Sequence, residues 1–185
     1  MAGDKYSSSR LNSTLFEIVE LLLQNKIYNW FITYGTLLGI VRNNSCIDND
    51  DDIDFLIDIK HRDDLLNICE QNNYKILINK FDNKVTFNNK VNPLICNILK
   101  VQKNNDPSID FYLSVENNYN YYDAWENKTW INSAPFIKKP WNDTLLFLPR
   151  YYESKLEIIY GNNWETPKKR GEYIGCISKN ISIIK

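Results

Sequence analysis

Residues 52–59 read Asp-Ile-Asp-Phe-Leu-Ile-Asp-Ile. Ile53, Phe55, Ile57 and Ile59 alternate with Asp52, Asp54, Leu56 and Asp58, and a period of two puts the first set on one side of a strand and the second on the other. The pattern predicts a strand with one buried face and one acidic face. Immediately before it stand Asp48, Asp50 and Asp51, so five aspartates fall within the seven positions 48–54. Like charges about 4 Å apart repel by ~1 kcal/mol in water and ~4 kcal/mol at an effective dielectric near 20. Such a cluster either stays wet or surrounds something positive.

The surrounding sequence limits where that strand can lie. Leu15, Ile18, Val19, Leu22 and Leu23 recur at helical spacing behind Ser13 and Thr14, which predicts an amphipathic helix over 13–26. A short β-rich run over 28–34 stops at Gly35, and 36–41 reads as a short helix. Beyond the acidic strand, 62–72 suits a helix. Runs at 74–79, 85–87 and 94–101, separated by FDNK and NNK turn signals, read as an antiparallel meander. In 109–115, Ile109, Phe111, Leu113 and Val115 alternate with Asp110, Tyr112 and Ser114. If this strand and 52–59 share one core, Asp110 stands on the same side as Asp52 and Asp54. Residues 117–141 are aromatic and weakly patterned. A last helix opens at Pro149, carries a stripe of Tyr152, Leu156, Ile159 and Tyr160, and ends at Gly161. Together these elements predict an α+β class and a single domain over 1–185 with its core at about 12–167.

Several function classes are poorly served. The formal net charge is −1 and the pI near 5.9, which offers no footprint for a nucleic-acid backbone. The first apolar run is interrupted by Glu17 and Glu20, so the sequence predicts neither a signal peptide nor a membrane span, and a cytoplasmic location. Cys46, Cys69, Cys96 and Cys176 are far apart and His61 is the one histidine, a poor set for structural zinc.

Two familiar acidic motifs fail on the aspartates. An EF-hand loop through Asp48, Asp50 and Asp52 needs Gly where Ile53 sits and Glu where Ile59 sits. A D-D-x-x-D site through Asp50, Asp51 and Asp54 needs a helix, and the residues alternate as a strand. A third reading survives. Asp52 and Asp54, about 7 Å apart along one strand face, converge on a hard cation such as Mg²⁺, with Asp110 as the third acid. Upstream, Gly35-Thr36 lies between strand and helix, where backbone N–H groups can receive a phosphate. Arg42 could neutralise a second phosphate, and Arg150 is a weaker candidate for the same task. Against this stands the commoner fate of an acidic run, a solvated surface.

These residues resemble the LicD/fukutin family of phosphotransferases within the nucleotidyltransferase superfamily. The resemblance rests on Gly35-Thr36-Leu37-Leu38-Gly39-Ile40-Val41-Arg42 followed by Asp50-Asp51-Asp52-Ile53-Asp54, and on the closing stretch LPRYYESKLEIIYGNNWETP, 148–167. It implies a nucleotidyltransferase fold with a mixed or antiparallel sheet and flanking helices. It also implies Mg²⁺ or Mn²⁺ held by Asp52, Asp54 and Asp110, with Asp50 and Asp51 serving loop geometry or supporting the ligands from behind. The implied reaction moves a phosphoryl-linked alcohol, phosphocholine or a polyol or sugar phosphate, from a CDP-alcohol or other nucleotide-linked donor onto a glycan hydroxyl, releasing NMP. Two other expectations stay open: transfer of NMP from an NTP to an acceptor, and a non-catalytic nucleotide- or glycan-binding module. Compared with the family's eukaryotic members, the sequence is short and is expected to lack a membrane anchor and a cysteine-rich zinc insertion. His61, at the start of a helix, reads as a surface residue rather than a base, and the aromatic residues of 117–141 as packing.

Overall fold

A computed structural model describes residues 5–81, 97–123, 126 and 128–168. The elements in chain order are α1 (Ser8–Gln24), β1 (Trp30–Ile32), α2 (Tyr34–Asn43), β2 (Asp52–Asp58), a 3₁₀ turn (Ile59–His61), α3 (Arg62–Gln71), β3 (Lys75–Lys80), β4 (Ile98–Gln102), β5 (Ser108–Asn117), β6 (Asn120–Asp123), β7 (Lys128–Trp130), β8 (Ile137–Trp141), β9 (Thr144–Leu148) and α4 (Tyr152–Tyr160). The main sheet runs β1-β2-β5-β4-β3, with β6 and β7 continuing from the far end of β5; β8 and β9 form a separate hairpin. The β2–β5 pair is parallel and every other pair is antiparallel. The class is α+β with a mixed sheet and flanking helices. No helix among the described residues is long and apolar enough to cross a membrane.

Trp30, Phe55, Phe111 and Phe147 meet ring to ring on the side of β2 that carries Ile53 and Ile57, all of them buried. Leu11, Leu15, Ile18, Val19 and Leu22 of α1 are fully buried in the same core. The acidic side of β2 is covered too: Asp54 is 6% and Asp58 7% exposed, and Leu56 between them is inaccessible. The expected solvated acidic face is therefore a buried one. Asp58 is accounted for locally, accepting from Asn29 Nδ2 at 2.8 Å and pairing with Lys60 Nζ at 3.0 Å.

Other boundaries differ for identifiable reasons. α1 begins at Ser8, not 13, because Ser7 Oγ caps the Arg10 N–H. The core also begins earlier than residue 12, since Tyr6 bridges to Asp50 and is 9% exposed. Pro149 is not the first residue of α4. The Arg150 N–H bonds to Ser133 O, and the Arg150 carbonyl accepts from the buried Lys155 Nζ, which holds 150–151 off the helical path. The weakly patterned 117–141 contains β6, β7 and β8. Tyr121, Trp130 and Trp141 are buried and Tyr119 is exposed; Trp125 lies outside the described residues. So do the expected strand 85–87, the first residues of the 94–101 run, Cys96 and Cys176. Cys46 and Cys69 are free, buried thiols, each pushed up to about 12 by burial.

Candidate active site

Strand register places the acids. Asp54 on β2 is paired with Asp110 on β5, and Asp110 is paired in turn with Lys100 on β4. Paired residues on adjacent strands point to the same face, so three neighbouring strands set Asp54, Asp110 and Lys100 in a row. Asp52 and Tyr112 join that face two residues along their strands. Tyr112 Oη donates to Asp54 Oδ1 at 3.3 Å. Lys100 Nζ lies 2.8 Å from Asp110 Oδ1 and donates to Asp52 Oδ2 at 3.4 Å. Lys100 therefore bridges the carboxylates of two strands.

α2 is fastened onto this row by its first turn. Thr36 Oγ1 accepts the Asp54 N–H at 2.9 Å, and the Thr33 N–H donates to the Asp54 carbonyl at 3.1 Å. Tyr34 makes the sharp entry with φ 42°, a left-handed value that costs a tyrosine of order 1–2 kcal/mol. Tyr34 Oη donates to Asp123 Oδ2 at 2.5 Å, and the ring stands edge-on to Tyr112 and Trp130. The two glycines of the motif have separate tasks. A Cβ on Gly35 would sit 2.6 Å from Asp50 Oδ2 and 3.6 Å from Asp54 Oδ2, so its missing side chain is room for two carboxylates. A Cβ on Gly39 would sit 2.6 Å from Ser45 O and 2.9 Å from Ile47 N, so there the loop backbone packs directly on the helix.

The acidic loop is pinned from the N-terminal side. The Tyr6 N–H donates to Asp50 O at 3.0 Å, the Asn49 N–H to Tyr6 O at 2.9 Å, and the Ser8 N–H to Asp48 Oδ1 at 3.0 Å. Asp48 thus serves α1. Asp50, Asp51 and Asp52 each place an oxygen within 4.8 Å of the others. Asp50 also accepts the Asp51 N–H at 3.1 Å.

The electrostatics follow from burial and crowding. The Asp54 carboxyl is pushed well above the usual carboxylate range by burial first and then by the charges of Asp52, Asp110 and Asp50, with Tyr112 pulling partly back. Burial raises Asp110 to about 6 despite the opposing pull of Lys100. Lys100 stands above its ordinary value, because its two aspartates outweigh its own burial. Burial and the neighbouring aspartates raise Tyr112, which keeps it a neutral donor. A site that burdens its own carboxylates in this way suits a bound cation. The three clustered oxygens and the space at Gly35 are what a divalent ion fits.

Gly35, Thr36, Asp52, Asp54 and Asp110 are brought together. Arg42 is not. It lies six residues beyond Thr36, about 9 Å along the helix axis, and its guanidinium donates to Trp164 O at 3.3 Å. Arg150 is exposed, with its guanidinium 4.6 Å above the Tyr151 ring, beside a cleft of about 640 Å³ lined by Pro135, Phe136, Tyr152 and Glu153. His61 stands beyond the opposite end of β2, 3.4 Å from Asp64. Lys100 and Tyr112 were missed by the sequence reading. The signal for Tyr112 was its place two residues after Asp110; for Lys100 there was none short of the β4–β5 register.

This arrangement, a mixed sheet with paired aspartates and a helix N-terminus over them, is the nucleotidyltransferase class of fold. Two of the solved structures that match this chain show the likeness of fold. The lincosamide antibiotic adenylyltransferase LnuA, with lincomycin bound, matches with a TM-score of 0.52 and 15% identity over 79% of this chain and 82% of its own. ANT(2")-Ia in complex with adenylyl-2"-tobramycin matches with a TM-score of 0.52 and 11% identity over 84% of this chain and 77% of its own. Comparison with curated proteins gives no match. The sequence profile of the LicD/FKTN/FKRP nucleotidyltransferase domain spans residues 28–147, and the chain belongs to that family. It is accordingly a nucleotide-related transferase.

Proposed function

We propose that the chain transfers a phosphoryl-linked alcohol, phosphocholine or a polyol or sugar phosphate, from a CDP- or other nucleotide-linked donor to a glycan hydroxyl, releasing NMP. The observation that carries this reading is the β2–β5 register, which sets Asp54 against Asp110 beneath the first turn of α2. Asp52 and Asp54 would hold Mg²⁺ or Mn²⁺, Asp50 stands close enough to join them, and Asp110, ion-paired with Lys100, is the third carboxylate beside them. When bound, the ion neutralises the donor's diphosphate and the charge that develops on it.

The chain's own groups do the rest. The N–H groups at the start of α2 around Gly35 and Thr36 receive phosphate oxygens, and the dipole of the helix favours negative charge there. Asp110, at about 6, has the basicity to take the acceptor hydroxyl's proton near neutral pH. The acceptor oxygen then bonds to the phosphorus that carries the alcohol, and the bond to the bridging oxygen breaks, its electron pair leaving with NMP. Tyr112 holds Asp54 and Lys100 holds Asp110 in place for this.

A second reading is nucleotidyl transfer, favoured by the adenylyltransferases that share the fold. The products separate the two. Incubated with Mn²⁺, CDP-choline or CDP-ribitol and a panel of oligosaccharide acceptors, the wild-type chain is expected to release CMP in step with acceptor modification, and Asp54→Asn is not. Pyrophosphate released from a nucleoside triphosphate, with no CMP from either CDP-alcohol, would replace the first reading with the second.

A further inference from the structure

We infer that Lys100 is a built-in cation that takes the place of a second divalent ion, so that the site works with one Mg²⁺ or Mn²⁺. The inference rests on the metal-dependent reading above and sharpens it. A second divalent ion between the two acidic strands would need the carboxylates that Asp52 of β2 and Asp110 of β5 present there. The Lys100 ammonium is already there, 2.8 Å from Asp110 Oδ1 and 3.4 Å from Asp52 Oδ2. A metal ion in that gap would have to displace the ammonium that fills it, and with the ammonium in place the two positive charges repel.

Lys100 is placed there by the fold. β4 pairs antiparallel with β5, with Lys100 directly opposite Asp110 and flanked by Leu99 and Val101, both fully buried. The side chain is 23% exposed, so its stem is packed along the sheet while its head bridges two strands. The remaining oxygens divide accordingly. Asp50, Asp51 and Asp52 converge within 4.8 Å on the loop side, and Asp50 and Asp54 flank the space at Gly35. That side is where one divalent ion fits, and the Asp110 side belongs to Lys100. Asp110 thereby stays off the metal, which leaves its carboxylate to the acceptor hydroxyl.

The test is a Mn²⁺ titration of the metal-stripped chain, with no nucleotide present, followed by electron paramagnetic resonance. Wild type is expected to bind one Mn²⁺ per chain with no spin coupling. Lys100→Met, which keeps the packed stem and loses the charge, is expected to bind a second ion at least tenfold more tightly than wild type does, with the broadened spectrum of two coupled ions. Lys100→Arg restores the charge and is expected to return to one. Two coupled Mn²⁺ ions in wild type, or a single ion in both wild type and Lys100→Met, would overturn the role of Lys100 while leaving the metal site standing. No bound Mn²⁺ in wild type would remove the metal reading and this inference with it.

Discussion

Replacing Asp110 by Asn should flatten the pH dependence of the metal-free chain's stability. Burial lifts this carboxyl from its ordinary 3.8 to about 6, so the folded chain holds the proton more tightly than the unfolded one. A raised acid contributes stability that is fully present below the unfolded value and is lost as pH rises through the folded one. The window is therefore about pH 4 to 6, and a shift of about two units is worth ~3 kcal/mol as an order of magnitude. Asp110 is 6% exposed, so solvent screening does not erode that figure much. The variant also relieves Asp54, because Asp110 is one of the charges that raise it, and that change flattens the curve further. Lys100 loses its partner, but it is charged throughout the window and displaces the whole curve rather than its slope. Urea denaturation in EDTA at several values between about pH 4 and 7 reads the difference. Wild type should lose ~3 kcal/mol more than Asp110→Asn over that span. Parallel curves, or a steeper fall in the variant, would refute the electrostatic account. Adding Mn²⁺ should reverse the wild-type trend, since the ion binds ionised carboxylates and its stabilisation grows as they form.

Asp54→Asn is expected to lower transfer by about a hundredfold or more without unfolding the chain, as steady-state product release and circular dichroism would show. Gly35→Ala should push Asp50 aside and weaken Mn²⁺ binding about tenfold, with little change in melting temperature, because the atom it meets is the end of a side chain. Gly39→Ala meets backbone instead and should cost ~1–3 kcal/mol of stability in chemical denaturation. Thr36→Val leaves the buried Asp54 N–H without its acceptor and should cost ~1–3 kcal/mol by the same measurement.

The part of the site that was legible in the sequence is the part that depends on local period. Alternation over 52–59 and 109–115 identified β2 and β5 and put Asp52, Asp54 and Asp110 on one face, which the pairing of Asp54 with Asp110 bears out. The Gly-Thr turn was legible as a junction between strand and helix, and in this structure Gly35 makes room for Asp50 and Asp54. What period cannot show is register between distant strands. Lys100 looks like any lysine on a β-rich run until β4 is laid against β5. Arg42 looked like a phosphate ligand because it follows the motif closely, but six further helical residues carry it away from the motif's first turn.

Two other gaps have physical causes. β6 and β7 are only four and three residues long, and in β6 Tyr121 and Tyr122 are consecutive and both buried, so no polar face marks an alternation there. The helix was expected from residue 13 and not from Ser8 because Ser7, Ser8 and Ser9 carry no apolar signal. Their task is done by backbone groups, through which Tyr6 and Ser8 hold the aspartate loop.

The most direct test of the central claim is thermal stabilisation of wild type and Asp54→Asn by CDP-alcohols, nucleotide sugars and triphosphates, each with and without Mn²⁺ or Mg²⁺. Ligand at a hundred times its dissociation constant stabilises by about 2.7 kcal/mol, enough to move the melting temperature by several degrees. A shift in wild type that needs both a CDP-alcohol and the metal, and that Asp54→Asn abolishes, is the predicted result. An equal shift in the variant, or one that is the same with and without metal, would contradict the claim that these aspartates hold the donor through a divalent ion.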